Sequence, residues 1–194
     1  KAEMEADVVQ VLEGLAIKGH EVHVILHTSK TSWKPNIPEL KIYPTNDFLF
    51  LNNISPINIV SLKAAQIIKE NNIDVVYATP GCLGEGLIAS WLTGRSVLCD
   101  VRNPWSVQIF DHLEHASIKR KIGIFALSIK YFFEELLIKR ANMVTAYSKG
   151  IKDWLLDYIG ISSDKIKIIG PHVDLNKFNI EKNKKSKLRE VYDI

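Results

Sequence analysis

The sequence predicts an α/β domain built on a doubly wound parallel sheet, and three observations carry that expectation. Short, largely apolar runs such as Val75-Val76-Tyr77-Ala78 and Val97-Leu98-Cys99 alternate with longer stretches whose apolar residues recur at helical spacing. Glycine, proline and asparagine punctuate the joins. Of the 194 residues 46% are hydrophobic, enough to bury one substantial core without requiring a second complete domain.

Residues 3–18 repeat Val8, Val11, Leu12 and Leu15 on one helical face, and Gly19 supplies the stop. Residues 21–27 alternate through Val22, Val24 and Leu26, with Ile25 added, as a buried strand; Pro35 and Pro38 mark the loop that follows. A short strand is expected over 40–43. Residues 56–70 carry Ile59, Val60, Leu62, Ala64, Ile67 and Ile68, a helical stripe broad enough to face a sheet, and Asn71-Asn72 join it to a strand over 73–78. A helix over 84–92, a strand over 96–101, a long helix near 118–140, a strand over 142–146, a helix over 150–158 and a strand over 165–169 complete the series. That alternation places helices on both faces of a parallel sheet. A doubly wound sheet opens with a strand at its centre, so the first helix is expected to follow a strand that precedes Lys1. Residues 182–192 are polar and Lys-rich, with only Leu188, Val191 and Tyr192 to bury, and read as a linker or an orphaned helix.

The charge balance limits the partners. With 25 Lys and Arg against 22 Asp and Glu, the net +3 is far from a nucleic-acid footprint. Two cysteines, Cys82 and Cys99, make no disulfide framework, which points to a reducing, cytoplasmic setting. No apolar run approaches the ~20 residues of a membrane span, so membrane contact is expected to be peripheral. The segment 118–140 is where such contact would fall: it combines Lys119, Arg120, Lys121, Lys130, Lys139 and Arg140 with Ile122, Phe125, Ile129, Phe132, Phe133, Leu136 and Leu137. A basic amphipathic helix of this kind suits an anionic membrane surface, while a helix covering a sheet needs an equally wide apolar stripe.

Ligands of open parallel sheets gather beyond the carboxyl ends of the strands, where loops and helix N-termini converge. At one such end, Asp100-Val101-Arg102-Asn103-Pro104-Trp105 delivers a carboxylate, a guanidinium, an amide and an indole, a set suited to hydroxyls, phosphate or a sugar face. The competing reading is a structural Asp100–Arg102 ion pair with Trp105 packed beside it. The turn from Thr79 through Gly81 to Gly86 could offer helix-start amides to an anion, although it lacks the Gly-Lys-Ser/Thr ending of a phosphate loop and also reads as a plain tight turn. Ser148 precedes a helix and suits an N-cap as well as a ligand contact. His112 and His115, with Asp111 and Glu114, share a helical face, but no further metal ligand is evident.

Several of these segments, in this order, resemble the N-terminal domain of the family 4, retaining GT-B glycosyltransferases. Ala2-Glu3 resembles the tail of the family's Gly-Gly-Ala-Glu loop, and residues 15–22 its helix-to-strand turn. Residues 73–78 resemble its fourth strand. Asp100-Val101-Arg102-Asn103-Pro104-Trp105 is similar to an Asp-Val-Arg-Asp-Leu-Trp sequence of members that build bacterial surface polysaccharides, and residues 141–148 are similar to Ala-Asp-x-Val-x-x-x-Ser with Asn142 in place of the aspartate. Lys1 stands where a loop glycine is usual, and Gly170-Pro171-His172 replaces the common Pro-Asn-Gly before Val173-Asp174.

The resemblance implies a Rossmann-like domain over residues 1–178, one half of a GT-B architecture, with 179–194 as a linker or the start of a C-terminal, donor-binding domain. It implies transfer of a sugar from a nucleotide-diphosphate sugar to a hydroxyl of a lipid-linked or polysaccharide acceptor, with retention and without a metal or other cofactor, at the inner face of a membrane. Arg102 and Asp100 would orient donor sugar or acceptor, with Thr79, Gly81, Asn103, Trp105 and Ser148 lining the substrate site and Ala2 and Glu3 in a donor-phosphate loop. Two other classes share the pattern: a non-catalytic acceptor-binding subunit of a split enzyme, and a GT-B sugar-nucleotide epimerase, for which Asp100 lacks an evident acid-base partner.

Overall fold

The structure, a computed structural model, describes residues 6–26, 33, 37–45, 59–79, 82–104 and 117–170. Expectations for residues 1–5, 27–32, 34–36, 46–58, 80–81, 105–116 and 171–194 lie outside the described residues.

In chain order the elements are α1 (Ala6–Ile17), β1 (Val22–Leu26), β2 (Leu40–Pro44), α2 (Ile59–Glu70), β3 (Val75–Ala78), α3 (Leu83–Thr93), β4 (Ser96–Val101), α4 (Ile118–Ile138), β5 (Met143–Ala146), α5 (Lys149–Trp154) and β6 (Ile166–Ile168). Each expected helix and strand is present within a few residues of its expected place. The helix expected over 150–158 changes character midway: α5 passes into a π-helical turn, Leu155–Ile159, which keeps Leu155 and Ile159 in the core before Gly160 ends it. At the end of α3, Gly94 takes φ 68° and donates its N–H to the carbonyl of Ser90, the left-handed stop that only glycine adopts cheaply.

Every strand pairing is parallel. Among the described residues β1 pairs with β2, while β3, β4, β5 and β6 follow one another in a four-stranded sheet. The two sheets are joined by packing instead of by backbone hydrogen bonds. Tyr77 of β3 lies against the core formed by Val8, Leu12, Ala16, Val22, Val24, Leu26 and Leu40. Ile25 of β1 and Val76 of β3 both pack beneath Ala64, Ala65 and Ile68 of α2 and Ala89 of α3.

The largest core joins Ala78, Val97, Cys99, Val101, Val144, Ala146 and Ile166 of the four-stranded sheet to Leu83 and Leu87 of α3 and Ile138 of α4. α3 rides close on β3. A Cβ added at Gly86 would stand 2.5 Å from the Cβ of Ala78, closer than unbonded carbon atoms approach. Gly86→Ala is therefore expected to force α3 outward and destabilise the fold by about 1–3 kcal/mol, read from a chemical melt. An unchanged midpoint would mean that α3 shifts freely on β3.

Candidate functional site

The parallel register brings three strand ends to one edge. Ala78 of β3 is level with Cys99 of β4, and Asp100 and Val101 of β4 are level with Thr145 and Ala146 of β5. Continuing that register, Thr79 falls level with Asp100, and Arg102 falls level with Tyr147, each one residue past its strand. Alternation along β4 sends Val97, Cys99 and Val101 into the main core and Leu98 and Asp100 to the other face, with Arg102 continuing that phase.

On this second face a polar network is buried. Asp100 Oδ2 accepts hydrogen bonds from the Tyr77 hydroxyl at 3.0 Å and from Arg102 Nε at 2.8 Å, and Oδ1 accepts from the Thr145 hydroxyl at 2.7 Å. Asp100 and Arg102 are only 6% and 8% exposed. The guanidinium carbon of Arg102 sits 5.7 Å from the centre of the Tyr147 ring, within cation–π range. Burial, together with the neighbouring Asp100 charge, raises the Tyr77 hydroxyl above its ordinary range, so it remains a donor at neutral pH. A carboxylate whose two oxygens serve three donors is suited to holding a guanidinium in place. The network thus fixes one oriented cation at the carboxyl edge of the sheet, between β3 and β5.

The remaining predicted site residues divide into three groups. Thr79 is half-buried beside this network, its carbonyl taking the N–H of Cys82 at 3.0 Å, and Asn103 is exposed just beyond Arg102. Ser148 caps α5, its hydroxyl accepting the N–H of Ile151 at 3.3 Å. Gly81, Trp105, Ala2 and Glu3 lie outside the described residues, as do Asp111, His112, Glu114 and His115. Asn142 ties β5 to β4, its side-chain oxygen accepting the N–H of Val97 at 2.9 Å.

A second buried polar cluster lies at the start of α3. Lys130 Nζ of α4 reaches Glu85 Oε1 at 3.3 Å and Glu134 Oε1 at 3.2 Å. All three are almost fully buried. Burial pushes the Glu134 carboxyl up to about 7, against the pull of Lys130 and with the push of Glu85. Burial also opposes the charge on Lys130, but Glu134 and Glu85 outweigh it and hold the ammonium above its ordinary value. This corrects the sequence reading of Lys130 as one of a helix's surface cations: its two carboxylate partners take it inside. Glu85 also places a carboxylate in the first turn of α3, where an anion was considered, so the positive end of that helix already faces a negative group of the protein.

Sequence reasoning missed Tyr77, Thr145 and Tyr147 around Asp100, and Glu85 beside Lys130. Tyr77 and Thr145 were visible as the polar interruptions near the ends of two apolar strands. Cys82 and Cys99 are both unbridged, and burial pushes the Cys99 thiol up to about 12.

Parallel strands with helices packed on them and a polar network at their carboxyl edge define a Rossmann-like domain of the kind found in GT-B glycosyltransferases. A family model described as Glycosyltransferase Family 4 matches residues 4–177, and the chain belongs to that family. Among solved structures it is similar to a glycosyltransferase from Rickettsia africae ESF-5, with TM-score 0.57 and 19% identity over 96% of this chain and 45% of that one. It is also similar to Anabaena HepE. In complex with UDP-glucose that protein matches with TM-score 0.63 and 18% identity over 100% of this chain and 48% of that chain. With UDP and glucose bound it matches with TM-score 0.61 and 19% identity over 97% and 47%. At these identities the likeness is one of fold, and the chain spans less than half the length of either protein. A search of curated proteins gave no match.

Proposed function

We propose that this chain forms the N-terminal, acceptor-side domain of a retaining glycosyltransferase that moves a sugar from a nucleotide-diphosphate sugar to a hydroxyl of a glycolipid or polysaccharide acceptor, at the cytoplasmic face of a membrane. The observation that carries the reading is the Arg102 guanidinium, held by Asp100 and Tyr147 at the carboxyl edge of a parallel sheet. Membership of family 4 supports the reaction class, and the nucleotide sugar bound to the similar Anabaena protein supports the donor class.

In this reading the chain works by positioning and by fixed charge. Departure of a nucleoside diphosphate leaves an electron-poor sugar ring and a growing negative charge, and a cation already anchored needs no reorganisation to respond. Arg102 supplies that cation and Asp100 fixes it, while Thr79, Asn103 and Ser148 border the crevice. The reaction draws on no metal or other cofactor. The test is to incubate the full-length protein with a panel of UDP-, GDP- and ADP-sugars and candidate acceptors, following diphosphate release and the anomeric configuration of the product by NMR. Acceptor-dependent release with retention is expected. Inversion, or no turnover of any donor, overturns the reading.

A further inference from the structure

The long helix α4 is turned inside out. Its inward face buries Ser128, Lys130, Glu134 and Glu135 alongside Ile124 and Ile138, whereas Phe125, Ile129, Phe132, Phe133 and Leu136 are exposed by 40% to 63%. An amphipathic helix that merely covers a core has the opposite arrangement. The inversion has a local cause: Lys130 and Glu134 are drawn inward to Glu85 at the start of α3, which fixes the rotation of α4 and aims its aromatic residues outward.

The exposed side chains form an ordered surface. At 100° per residue, Lys121, Phe125, Ile129, Phe132, Phe133, Leu136, Lys139 and Arg140 fall within an arc of about 120°, and along the helix axis the apolar residues lie between Lys121 and the pair Lys139 and Arg140. Lys121, Lys139 and Arg140 are exposed, and among the described residues from 117 to 140 every exposed charged side chain is a cation, because Glu134 and Glu135 are both buried. Phe132 and Phe133 pack edge to face, with ring centres 6.1 Å apart, as one broad apolar knob. Among the described residues no helix is long and apolar enough to cross a membrane. This surface therefore suits lying on a bilayer.

We propose that α4 docks the protein on an anionic lipid bilayer, sinking Phe125, Ile129, Phe132, Phe133 and Leu136 to the headgroup–acyl boundary while Lys121, Lys139 and Arg140 meet lipid phosphates. Charge decides against a second copy as the occupant. A two-fold pairing of the helix with itself in antiparallel sense would set Lys121 of one copy against Lys139 and Arg140 of the other, cation on cation.

The test is cosedimentation of the full-length protein with vesicles of phosphatidylcholine alone and of an equal mixture with phosphatidylglycerol. Its readout is vesicle binding, so it fails or succeeds independently of sugar transfer. Binding to the mixed vesicles, weaker on neutral ones and reduced by salt, is the expected result. Phe132→Ser with Phe133→Ser should lower partitioning at least about tenfold, and Lys139→Gln with Arg140→Gln about tenfold. Both pairs are exposed, so circular dichroism and melting should stay as in the parent. Absence of vesicle binding overturns the proposal, as does equal binding by the Phe132→Ser, Phe133→Ser variant. So does a dimer in light scattering that this variant dissolves, since the face would then pair two copies.

Discussion

Replacing Arg102 by alanine is expected to lower transfer by the full-length protein about 100- to 1,000-fold, the range that follows removal of one preorganised charge-stabilising group. The fold should survive, because Asp100 keeps the hydroxyls of Tyr77 and Thr145 as donors when the guanidinium is gone. Its loss of stability should stay within about 1–3 kcal/mol, that of a buried group missing one partner. Arg102→Lys separates charge from geometry. It restores a cation but neither the Nε–H bond to Asp100 nor the guanidinium over the Tyr147 ring, so only part of the activity should return. Asp100→Ala is expected to behave differently, costing more stability than Arg102→Ala because it removes at once the acceptor of Tyr77, Thr145 and the buried Arg102 guanidinium. Kinetics of Arg102→Ala equal to those of the parent would remove this residue from the site.

The contrast between Arg102 and Lys130 shows what the sequence could disclose. Strand and helix periods placed each element, since Val22, Val24 and Leu26, or Val97, Cys99 and Val101, signal their burial by spacing alone. The pairing within Asp100-Val101-Arg102 was legible because alternation puts its first and third residues on one face and a strand end puts them at the sheet's edge. The partners of Asp100 were not legible. Tyr77 and Thr145 are remote in sequence and become neighbours only through the register of β3 and β5 on β4. Lys130 was misread for the same reason. In one dimension it joins a row of lysines on a basic helix, and only the packing of α4 on α3 shows that Glu85, 45 positions away, draws it inside. Once Lys130 turns inward the aromatic stripe must turn outward, so a single long-range pair reversed the reading of the helix. Strand partners were not legible either, for nothing in the pattern of β1 or β3 states which strand each will pair with.

Lys130→Met is the substitution expected to damage folding most. The ammonium lies between the carboxyls of Glu85 and Glu134, and a thioether of similar length would leave those groups buried together without the charge that Lys130 supplies. Removing one member of a buried pair costs about 3–5 kcal/mol, and for a chain of this size that lowers the melting temperature by roughly 6–20 °C. The same cluster sets a pH dependence whose sign follows from Glu134. Its carboxyl titrates near pH 7 in the folded protein against an ordinary 4.5, so between those values the native state holds a proton that the unfolded chain has lost. Stability from this group is therefore greatest below pH 4.5 and falls as pH rises towards 7, by an amount on the order of 3 kcal/mol. The groups facing it set the direction: burial and Glu85 favour the proton, Lys130 opposes it, and Glu135 adds a smaller push in favour. Glu134→Gln carries the neutral state permanently. It should melt near the parent at pH 5 and above it at pH 8. In Lys130→Met the loss of the opposing cation should carry the titration of Glu134 above 7 and extend the pH-sensitive window upward. Melting curves of the three proteins from pH 5 to 9 distinguish these cases, and a parent whose melting temperature is flat across that range, and unchanged by Glu134→Gln, would show that Glu134 titrates as an ordinary carboxyl. The two substitutions also bear on the orientation of α4, because the inward pull of Glu85 on Lys130 is the interaction that holds the phenylalanines outward.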